Sequence, residues 1–188
     1  MKDLAAPRPR RLATGPSSDA EYAAQVTSGT TVSIGPATSA DFDRIAELTV
    51  GVYTAEDLVS PGYVPQLADV AGRAERADLL VARDDAGLVV GSVALVLSGD
   101  FGEVTESDDE AAFRMLAVDA DMRGRGVGEA LVRTCLDRAR AAGKRRMVLS
   151  TGEEMRAAHR LYERLGFSKD PTAPHHSQAR GGPLQQGR

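Results

Sequence analysis

The residues best suited to chemistry lie in one short run that is rich in glycine and arginine. It stands between a strand-like stretch and a helix-like stretch and reads Arg123, Gly124, Arg125, Gly126, Val127 and Gly128. Glycines lack a Cβ, so successive backbone N–H groups can converge on an anion, and the N-terminus of a following helix adds about half a positive charge. The arginines add charge-assisted donors. The run therefore predicts a phosphate cradle; the alternative is a glycine-rich connection flanked by solvated arginines.

The spacing within this run disfavours two common nucleotide-binding motifs. A Walker A loop needs Gly-Lys-Ser/Thr, which does not follow, and the fingerprint G-x-G-x-x-G needs a glycine where Glu129 stands. A dinucleotide-binding domain also needs a series of parallel βαβ units, whereas this run follows a predicted hairpin and a third strand. Nucleotide hydrolysis and Rossmann-type binding are therefore disfavoured.

The surrounding pattern predicts the elements that must position the cradle. Thr38 and Asp41 have the spacing of a capping box, and apolar residues then recur at helical intervals through Tyr53. The other predicted elements are a helix over 66–76, a hairpin of strands 79–83 and 88–97, a strand over 111–118, a helix over 128–142, a strand over 146–150 and a helix that ends at Gly166. This order of elements is typical of a mixed α/β domain.

Length and composition indicate one globular domain with extensions at both ends. The 188 residues are 42% hydrophobic and 27% charged, which is close to the average for soluble domains. Residues 1–30 and 169–188 are rich in proline, glycine and polar residues, so both are expected to be disordered. The domain itself is predicted to span residues 31–168.

Charge, cysteine count and hydropathy exclude several classes of function. The formal net charge of −4 argues against nucleic-acid binding. One cysteine and three histidines leave no cluster with metal-site spacing, so no metal site is expected. No apolar run reaches the roughly 18 residues that cross a bilayer, and no signal-peptide stretch follows the basic N-terminus. We therefore expect a cytoplasmic protein without a membrane partner.

Two motifs in a fixed order carry a resemblance to a known family. Residues 123–128 meet the pattern Arg/Gln-x-x-Gly-x-Gly/Ala after a strand that ends at Val118. Residues 158–167 meet the pattern Ala-x-x-x-Tyr-x-x-x-Gly-Phe. Together with the order of elements, these motifs make residues 31–167 similar to the GNAT superfamily of acyl-CoA-dependent N-acetyltransferases.

The resemblance implies a fold and a cosubstrate. The expected fold is GNAT-like, with a mostly antiparallel central sheet that splays between strands 111–118 and 146–150 and about four flanking helices. Acetyl-CoA is the implied acyl donor, with its pyrophosphate on the cradle and its pantetheine arm paired with the backbone of Leu116, Ala117 and Val118. Such a gap is a reasonable ligand site, because unpaired backbone groups at depth need partners.

The resemblance also assigns chemistry to Tyr162. Tyr162 would protonate the departing thiolate, because a phenol of pKa about 10 can protonate a thiolate of pKa about 8.5. The residues alone leave open a packed core tyrosine. From its position at the start of strand 111–118, Glu110 is the first candidate for the base that takes the amine proton, with Glu103 and Asp109 behind it. The alternatives are an acidic loop that is merely solvated, with the proton removed through water or the amine bound in its neutral form. His159 is expected to be a surface residue.

Two departures from the family pattern leave a second function open. Met155 stands where many relatives have an asparagine that contacts the cofactor, and prolines and glycines after Phe167 predict that the terminal strand is missing. An open strand edge would favour a homodimer.

The leading function is direct transfer of an acetyl group from acetyl-CoA to a primary amine of a small molecule or peptide, in a ternary complex. The runner-up is a non-catalytic acyl-CoA-binding module. The acidic segment 100–110 favours a cationic amine.

Overall fold

The computed structural model describes residues 22–26, 30–99, 105, 107–152, 155–169 and 177–181. The strands in this part of the chain are β1 Tyr22–Val26, β2 Thr30–Pro36, β3 Asp78–Arg83, β4 Val89–Val96, β5 Glu110–Val118, β6 Arg146–Thr151, β7 Phe167–Lys169 and β8 Ser177–Gly181. They form one sheet in the order β1-β2-β3-β4-β5-β6-β8-β7. All neighbouring strands are antiparallel except β5 and β6, which confirms the predicted mostly antiparallel sheet.

Five α-helices occur in the described ranges. They are α1 Phe42–Ala55, α2 Val64–Ala68, α3 Val70–Ala74, α4 Val127–Ala141 and α5 Arg156–Arg164. The single helix predicted over 66–76 is wrong: the chain turns at Asp69, whose side chain accepts the N–H of Gly72 and caps α3. None of the described helices has the length and apolarity to cross a membrane.

The helices cover both faces of the sheet. Helices α4 and α5 pack on one face over the larger apolar cluster, whereas α1 and α3 pack on the other. Gly91 of β4 lets α4 come close, because a Cβ at this position would lie 3.0 Å from Leu131 and 3.1 Å from Val127. The cradle, which immediately precedes α4, is therefore held by close packing of its helix on the sheet.

The C-terminal part of the sheet differs from the expectation. β7 follows α5 directly, and β8 lies between β6 and β7 and pairs with both. The predictions of a missing terminal strand and of disorder over 169–188 are therefore wrong for these strands. Pro171 and Pro174 fall in the connection between β7 and β8, outside the described residues, so they remove no hydrogen bond from either strand.

The N-terminal boundary is also wider than predicted. β1 pairs with β2 along its whole length, so the expected disorder of residues 1–30 is wrong for Tyr22–Val26. The other residues of that segment lie outside the described ranges. Because β6 has a neighbour on both sides, it is not an open edge, and the reason for expecting a homodimer at that edge no longer applies. The homodimer stays a prediction without that support.

The start of α1 is fixed by a charged contact with β3. The backbone N–H of Thr38 donates to Asp41 at 2.7 Å, which confirms the predicted capping box. Arg83 donates to both carboxylate oxygens of Asp41, at 2.9 and 2.8 Å. These hydrogen bonds with Arg83 hold the pKa of Asp41 at about 2, below its ordinary value of 3.8. The contact orients α1 toward the sheet.

An Asp41→Asn variant is expected to lose about 1 to 2 kcal/mol of unfolding free energy at pH 7. This loss is smaller than the pKa shift alone implies, because solvent reaches Arg83 and screens the ion pair. Since the pKa of Asp41 is lowered in the fold, its stabilisation is complete above the ordinary carboxyl pKa and is lost as the pH falls toward 2. Urea denaturation at several pH values checks this, with Asp43→Asn as an exposed control in the same turn. A difference between parent and variant that stayed constant down to pH 2 would contradict it.

Candidate active site

The sheet opens between β5 and β6. These strands pair only through Glu110–Ala112 and Arg146–Val148. Beyond that point β5 continues against β4 and β6 continues against β8. A bulge at Met115, which has a φ of 52°, bends β5 within the opening. The predicted splay is confirmed, and the backbone of β5 after Ala112 faces a gap where an extended ligand can pair with it.

The connection from β5 to the cradle is held by α1. Asp119 follows β5 directly and accepts the N–H of Asp121 at 3.2 Å, which begins a 3₁₀ turn over Ala120–Met122. Arg44 of α1 donates to Asp119 at 2.7 Å and to the carbonyl of Val89 at 3.1 Å. Arg44 therefore ties α1, β4 and the entry to the cradle together.

The cradle has the geometry of an anion site. Gly124 and Gly126 have φ values of 73° and 91°, in the left-handed region that favours glycine. Gly126 caps α4, and the first bond within this helix runs from the N–H of Ala130 to the carbonyl of Gly126 at 2.9 Å. The N–H groups of residues 127–129 therefore precede the helical ladder and point out of its positive end. Binding of a pyrophosphate at this end stays a prediction.

The two cradle arginines are both exposed. Arg123 donates to the carbonyl of Val118 at 3.4 Å and forms an ion pair with Glu56, just after α1. Arg125 lies in the following turn. A phosphate on the cradle would compete with the Glu56 carboxylate for Arg123, because both groups use the same guanidinium donors.

A cleft of about 420 Å³ runs from the cradle along β5. Its walls come from β5, the cradle, α1 and α5. The residues that line it include Val52, Tyr53, Leu116, Val118, Arg123, Gly124, Gly126, Val127, Gly128, Met155, Leu161 and Arg164. Seven of the predicted cofactor-binding residues thus share one cleft. Ala117 faces away from it, into the apolar cluster beneath α1. The volume lies within the range typical of small-molecule sites.

Tyr162 lies deep between α5 and the sheet. Its side chain is 5% exposed and its ring packs against Phe113 and Phe167, with ring centroids 5.6 and 5.8 Å away. Burial raises the pKa of the phenol, and the nearby Tyr53 raises it further. Among the described residues that line the cleft, Leu161 is present and Tyr162 is not. Tyr162 is therefore a packed aromatic residue next to the cleft, and its role as the acid stays a prediction.

Glu110 lies at the other end of β5. Its carboxylate is buried and lies 3.3 Å from the Nε of Arg146 on β6. It lines a second pocket of about 270 Å³ together with Ser107, Asp108 and Lys144. Glu110 does not line the cleft, and Tyr162 lines neither of these two pockets. Glu103 lies outside the described ranges, and Asp109 lies 3.8 Å from Arg145.

Arg164 lines the cleft without a local sequence signal. It occupies an ordinary helical position, so nothing in the pattern marks it as functional. Arg164 lies 3.6 Å from Glu129 and links α5 to α4. His159 is half-buried and lies 2.8 Å from the hydroxyl of Thr151, so it joins α5 to β6 and is not the surface residue that was expected. Within the described ranges, no group of three or more acidic, histidine or cysteine side chains could hold a metal ion.

Curated relatives share part of this chain. A probable N-acetyltransferase camello of Xenopus tropicalis is 39% identical over 95 residues, which cover 50% of this chain and 40% of its own length. The N-acetylaspartate synthetase of Xenopus tropicalis is 37% identical over 90 residues, which cover 48% of this chain and 31% of its own. The chain thus matches less than half the length of either relative.

A solved structure and a family profile cover more of the chain. The structure of yncA from Salmonella typhimurium with its cofactor acetyl-CoA has a TM-score of 0.63 and 20% identity, and covers 84% of this chain and 96% of that protein. This likeness shows the fold. The profile of the Acetyltransferase (GNAT) family matches residues 42–167. The chain therefore belongs to the Acetyltransferase (GNAT) family, as the two sequence motifs predicted.

Proposed function

We propose that this chain is an N-acetyltransferase that transfers an acetyl group from acetyl-CoA directly to a primary amine of a small molecule or peptide within a ternary complex. The observation that carries the proposal is the course of the cleft. It starts at the cradle before α4, follows Leu116 and Val118 of the opened strand β5, and reaches Leu161 of α5, the residue before Tyr162. A cleft with this course can bind the pyrophosphate of an acyl-CoA molecule at one end and its acyl group at the other.

The residues of the cleft fit acetyl-CoA, which supplies an activated thioester when it is bound. The glycine backbone and the first-turn N–H groups of α4 would hold the pyrophosphate, with Arg123 as an added donor. The backbone of residues 116–118 on the side of the gap would hold the pantetheine arm. This arrangement would direct the acyl group toward the inner end of the cleft.

Tyr162 is the proposed general acid. As the amine nitrogen bonds to the thioester carbon and the carbon–sulfur bond breaks, the Tyr162 hydroxyl would donate a proton to the sulfur. The amine gives up one proton, and the tyrosine regains one from solvent. The raised pKa keeps the phenol protonated across the physiological range, so it enters the reaction as a donor. A neutral donor at this position prevents the release of a free thiolate.

The route of the amine proton differs from that of the thiol proton. Glu110 begins β5, six residues before Leu116 of the cleft, and lines a different pocket. Its carboxylate forms an ion pair with Arg146. Glu110 is therefore proposed as a base only through intervening water, and binding of an amine that is already neutral is the other route.

Substitution of the cradle is expected to weaken acetyl-CoA binding. Arg123→Ala removes a charged donor, and Gly126→Val places a branched side chain where φ is 91°, so each is expected to cost about 1 to 3 kcal/mol of binding free energy. Isothermal titration calorimetry with acetyl-CoA measures the change. Gly51→Ala, an exposed position on α1 with open space for a Cβ, is the control and should keep the parent affinity. Parent affinity in both cradle variants would contradict the assignment.

The proposed activity is tested by combining binding with turnover. The expected result is saturable binding of acetyl-CoA, followed by release of free CoA thiol that depends on an added amine. Mass spectrometry should show an acetylated amine in an amount equal to the CoA released. Binding without thiol release for any amine in a broad panel would favour the non-catalytic binding module. One argument for that alternative was a missing terminal strand. This argument no longer applies, because β7 and β8 are present.

A further inference from the structure

A carboxylate at the end of α1 lies beside the cradle, and no step of the proposed reaction uses it. Glu56 is the C-cap of α1 and lines the cleft together with Arg123 of the cradle. The two side chains form an ion pair between Nη1 of Arg123 and Oε1 of Glu56. They are 43% and 41% exposed, so a ligand in the cleft can reach both. Glu56 therefore uses donors that the proposed function gives to a phosphate.

The backbone at the end of α1 fixes the place from which Glu56 reaches the cradle. The N–H of Leu58 donates to the carbonyl of Tyr53 at 2.9 Å, and the N–H of Asp57 donates to the carbonyl of Thr54 at 3.2 Å. These two bonds form a Schellman motif, with Asp57 in the left-handed region at a φ of 53°. Glu56 lies within this turn, so its position is set by the helix end.

The first half of α1 is tied to the entry of the cradle by a separate contact. Arg44 donates to Asp119 at 2.7 Å and to the carbonyl of Val89 at 3.1 Å. This contact uses none of the groups proposed to hold the pyrophosphate, so it can persist when acetyl-CoA binds. Because α1 is anchored at Asp119, the Glu56 carboxylate stays within reach of Arg123 even when a ligand separates the two.

Helix energetics do not explain an acidic side chain at this position. The C-terminal end of a helix carries a partial negative charge, which favours basic side chains and disfavours acidic ones. The last turn of α1 has no basic residue, and Glu56 and Asp57 follow it directly. The Glu56 carboxylate finds its compensating charge on Arg123. The contact with the cradle, and not the stability of α1, therefore accounts for a carboxylate here.

The second carboxylate on the cleft wall has a different setting. Glu129 lies in the first turn of α4, where the helix dipole favours a negative charge. It lies 2.8 Å from Arg133 and 3.6 Å from Arg164, which are residues of α4 and α5. Glu129 therefore links two helices, whereas Glu56 contacts the cradle arginine itself.

We infer that Glu56 is an internal competitor for phosphate: it pairs with Arg123 between cosubstrate molecules, is displaced when the pyrophosphate of acetyl-CoA binds, and returns to Arg123 as CoA leaves. A phosphate on the same guanidinium would lie close to the carboxylate, and two neighbouring anions repel each other. Glu56 therefore weakens the binding of phosphate-bearing ligands and speeds the release of spent CoA. This inference rests on the proposed function and assigns a regulating residue to the same site.

The binding test uses neutralisation of the carboxylate. Glu56→Gln is expected to bind CoA about 2- to 10-fold more tightly than the parent, because the amide keeps the size of the side chain and removes its charge. Isothermal titration calorimetry with CoA measures the affinity and requires no turnover. Asp57→Asn is the matched control. It removes the same charge one residue further on, at an exposed position that does not line the cleft, and should keep the parent affinity.

Two smaller probes separate the phosphate from the rest of CoA, and both are measured by competition with CoA. Inorganic pyrophosphate should gain about the same factor in affinity as CoA in Glu56→Gln. Acetyl-pantetheine, a thioester without phosphate, should bind the parent and the variant equally. Stopped-flow displacement should also show slower release of CoA from the variant, by a factor similar to the gain in affinity. Equal release rates, or a gain for acetyl-pantetheine as large as that for CoA, would contradict competition at the phosphate.

A double-mutant cycle shows whether the effect acts through Arg123. In an Arg123→Ala background, Glu56→Gln is expected to change CoA affinity by less than about 2-fold, because the contact that it relieves is already absent. The thermal midpoint of Glu56→Gln should not fall, since the substitution removes an acidic charge from the negative end of α1. A lower midpoint, with unchanged CoA affinity, would make the ion pair a structural contact and overturn the inference.

The direction of the change in CoA affinity decides the role of Glu56. Weaker binding in Glu56→Gln would show that the carboxylate orients Arg123 for the phosphate, and this result overturns the inference. An equal gain in Asp57→Asn would assign the effect to net charge and overturns it as well. In either case a loss of affinity in Arg123→Ala leaves the cradle and the proposed function standing. Parent affinity for CoA in Arg123→Ala would count against the proposed function itself.

Discussion

A Tyr162→Phe variant is expected to show a kcat for acetyl transfer about 10- to 1000-fold below that of the parent, with nearly unchanged affinity for acetyl-CoA. The phenyl ring keeps the packing against Phe113 and Phe167, so only the hydroxyl is lost. In the proposed mechanism that hydroxyl acts on the departing sulfur, which carries charge in the transition state and not in the ground state. The loss should therefore appear in turnover and not in binding.

Three measurements test the role of the Tyr162 hydroxyl. Single-turnover release of CoA thiol gives the chemical step, calorimetry gives the affinity, and the thermal midpoint shows that the core is intact. Tyr22→Phe is a matched control, because β1 and β5 are separated by three strands of the sheet. Equal turnover in Tyr162→Phe and parent would leave Tyr162 as a packing residue. A large fall in acetyl-CoA affinity would assign the hydroxyl to binding.

The elements around the cradle could be predicted because their patterns are local. The helix predicted over 128–142 is α4 at Val127–Ala141, and the strand predicted over 111–118 is β5 at Glu110–Val118. Periodic apolar residues and a glycine-rich start specify these elements within a few residues of sequence. The conformation of the cradle could be predicted for the same reason, because it depends on Gly124 and Gly126 within the run itself.

The remaining features depend on contacts between distant segments. Strand β8 has the sequence Ser-Gln-Ala-Arg-Gly, which has no apolar alternation, so its strand conformation comes from pairing with β6 and β7. Arg73 is likewise an ordinary arginine in the sequence. It becomes buried, with its Nε left without a partner, only when α3 packs against α1 and β3. No local pattern encodes such a convergence.

Removal of residues 171–188 is expected to lower the midpoint of thermal unfolding by at least about 10 °C, because several kcal/mol of strand pairing is lost and each kcal/mol shifts a domain of this size by about 2 to 4 °C. β8 pairs through four of its residues with β6 and through three with β7. Without β8, β6 becomes an unpaired edge and β7 loses its neighbour in the sheet.

The same deletion reaches the site through β7. Phe167 begins β7 and packs against both Tyr162 and Phe113, so a loosened β7 should also displace the proposed acid. Thermal unfolding and turnover at low temperature are therefore measured together, and both are expected to fall. Removal of residues 182–188 alone keeps β8 and is the control, with a midpoint within a few degrees of the parent. A shift of only a few degrees in the longer deletion would show that β8 adds little to the stability of the sheet. The disordered tail predicted from the prolines and glycines would then be the better description of residues 171–188.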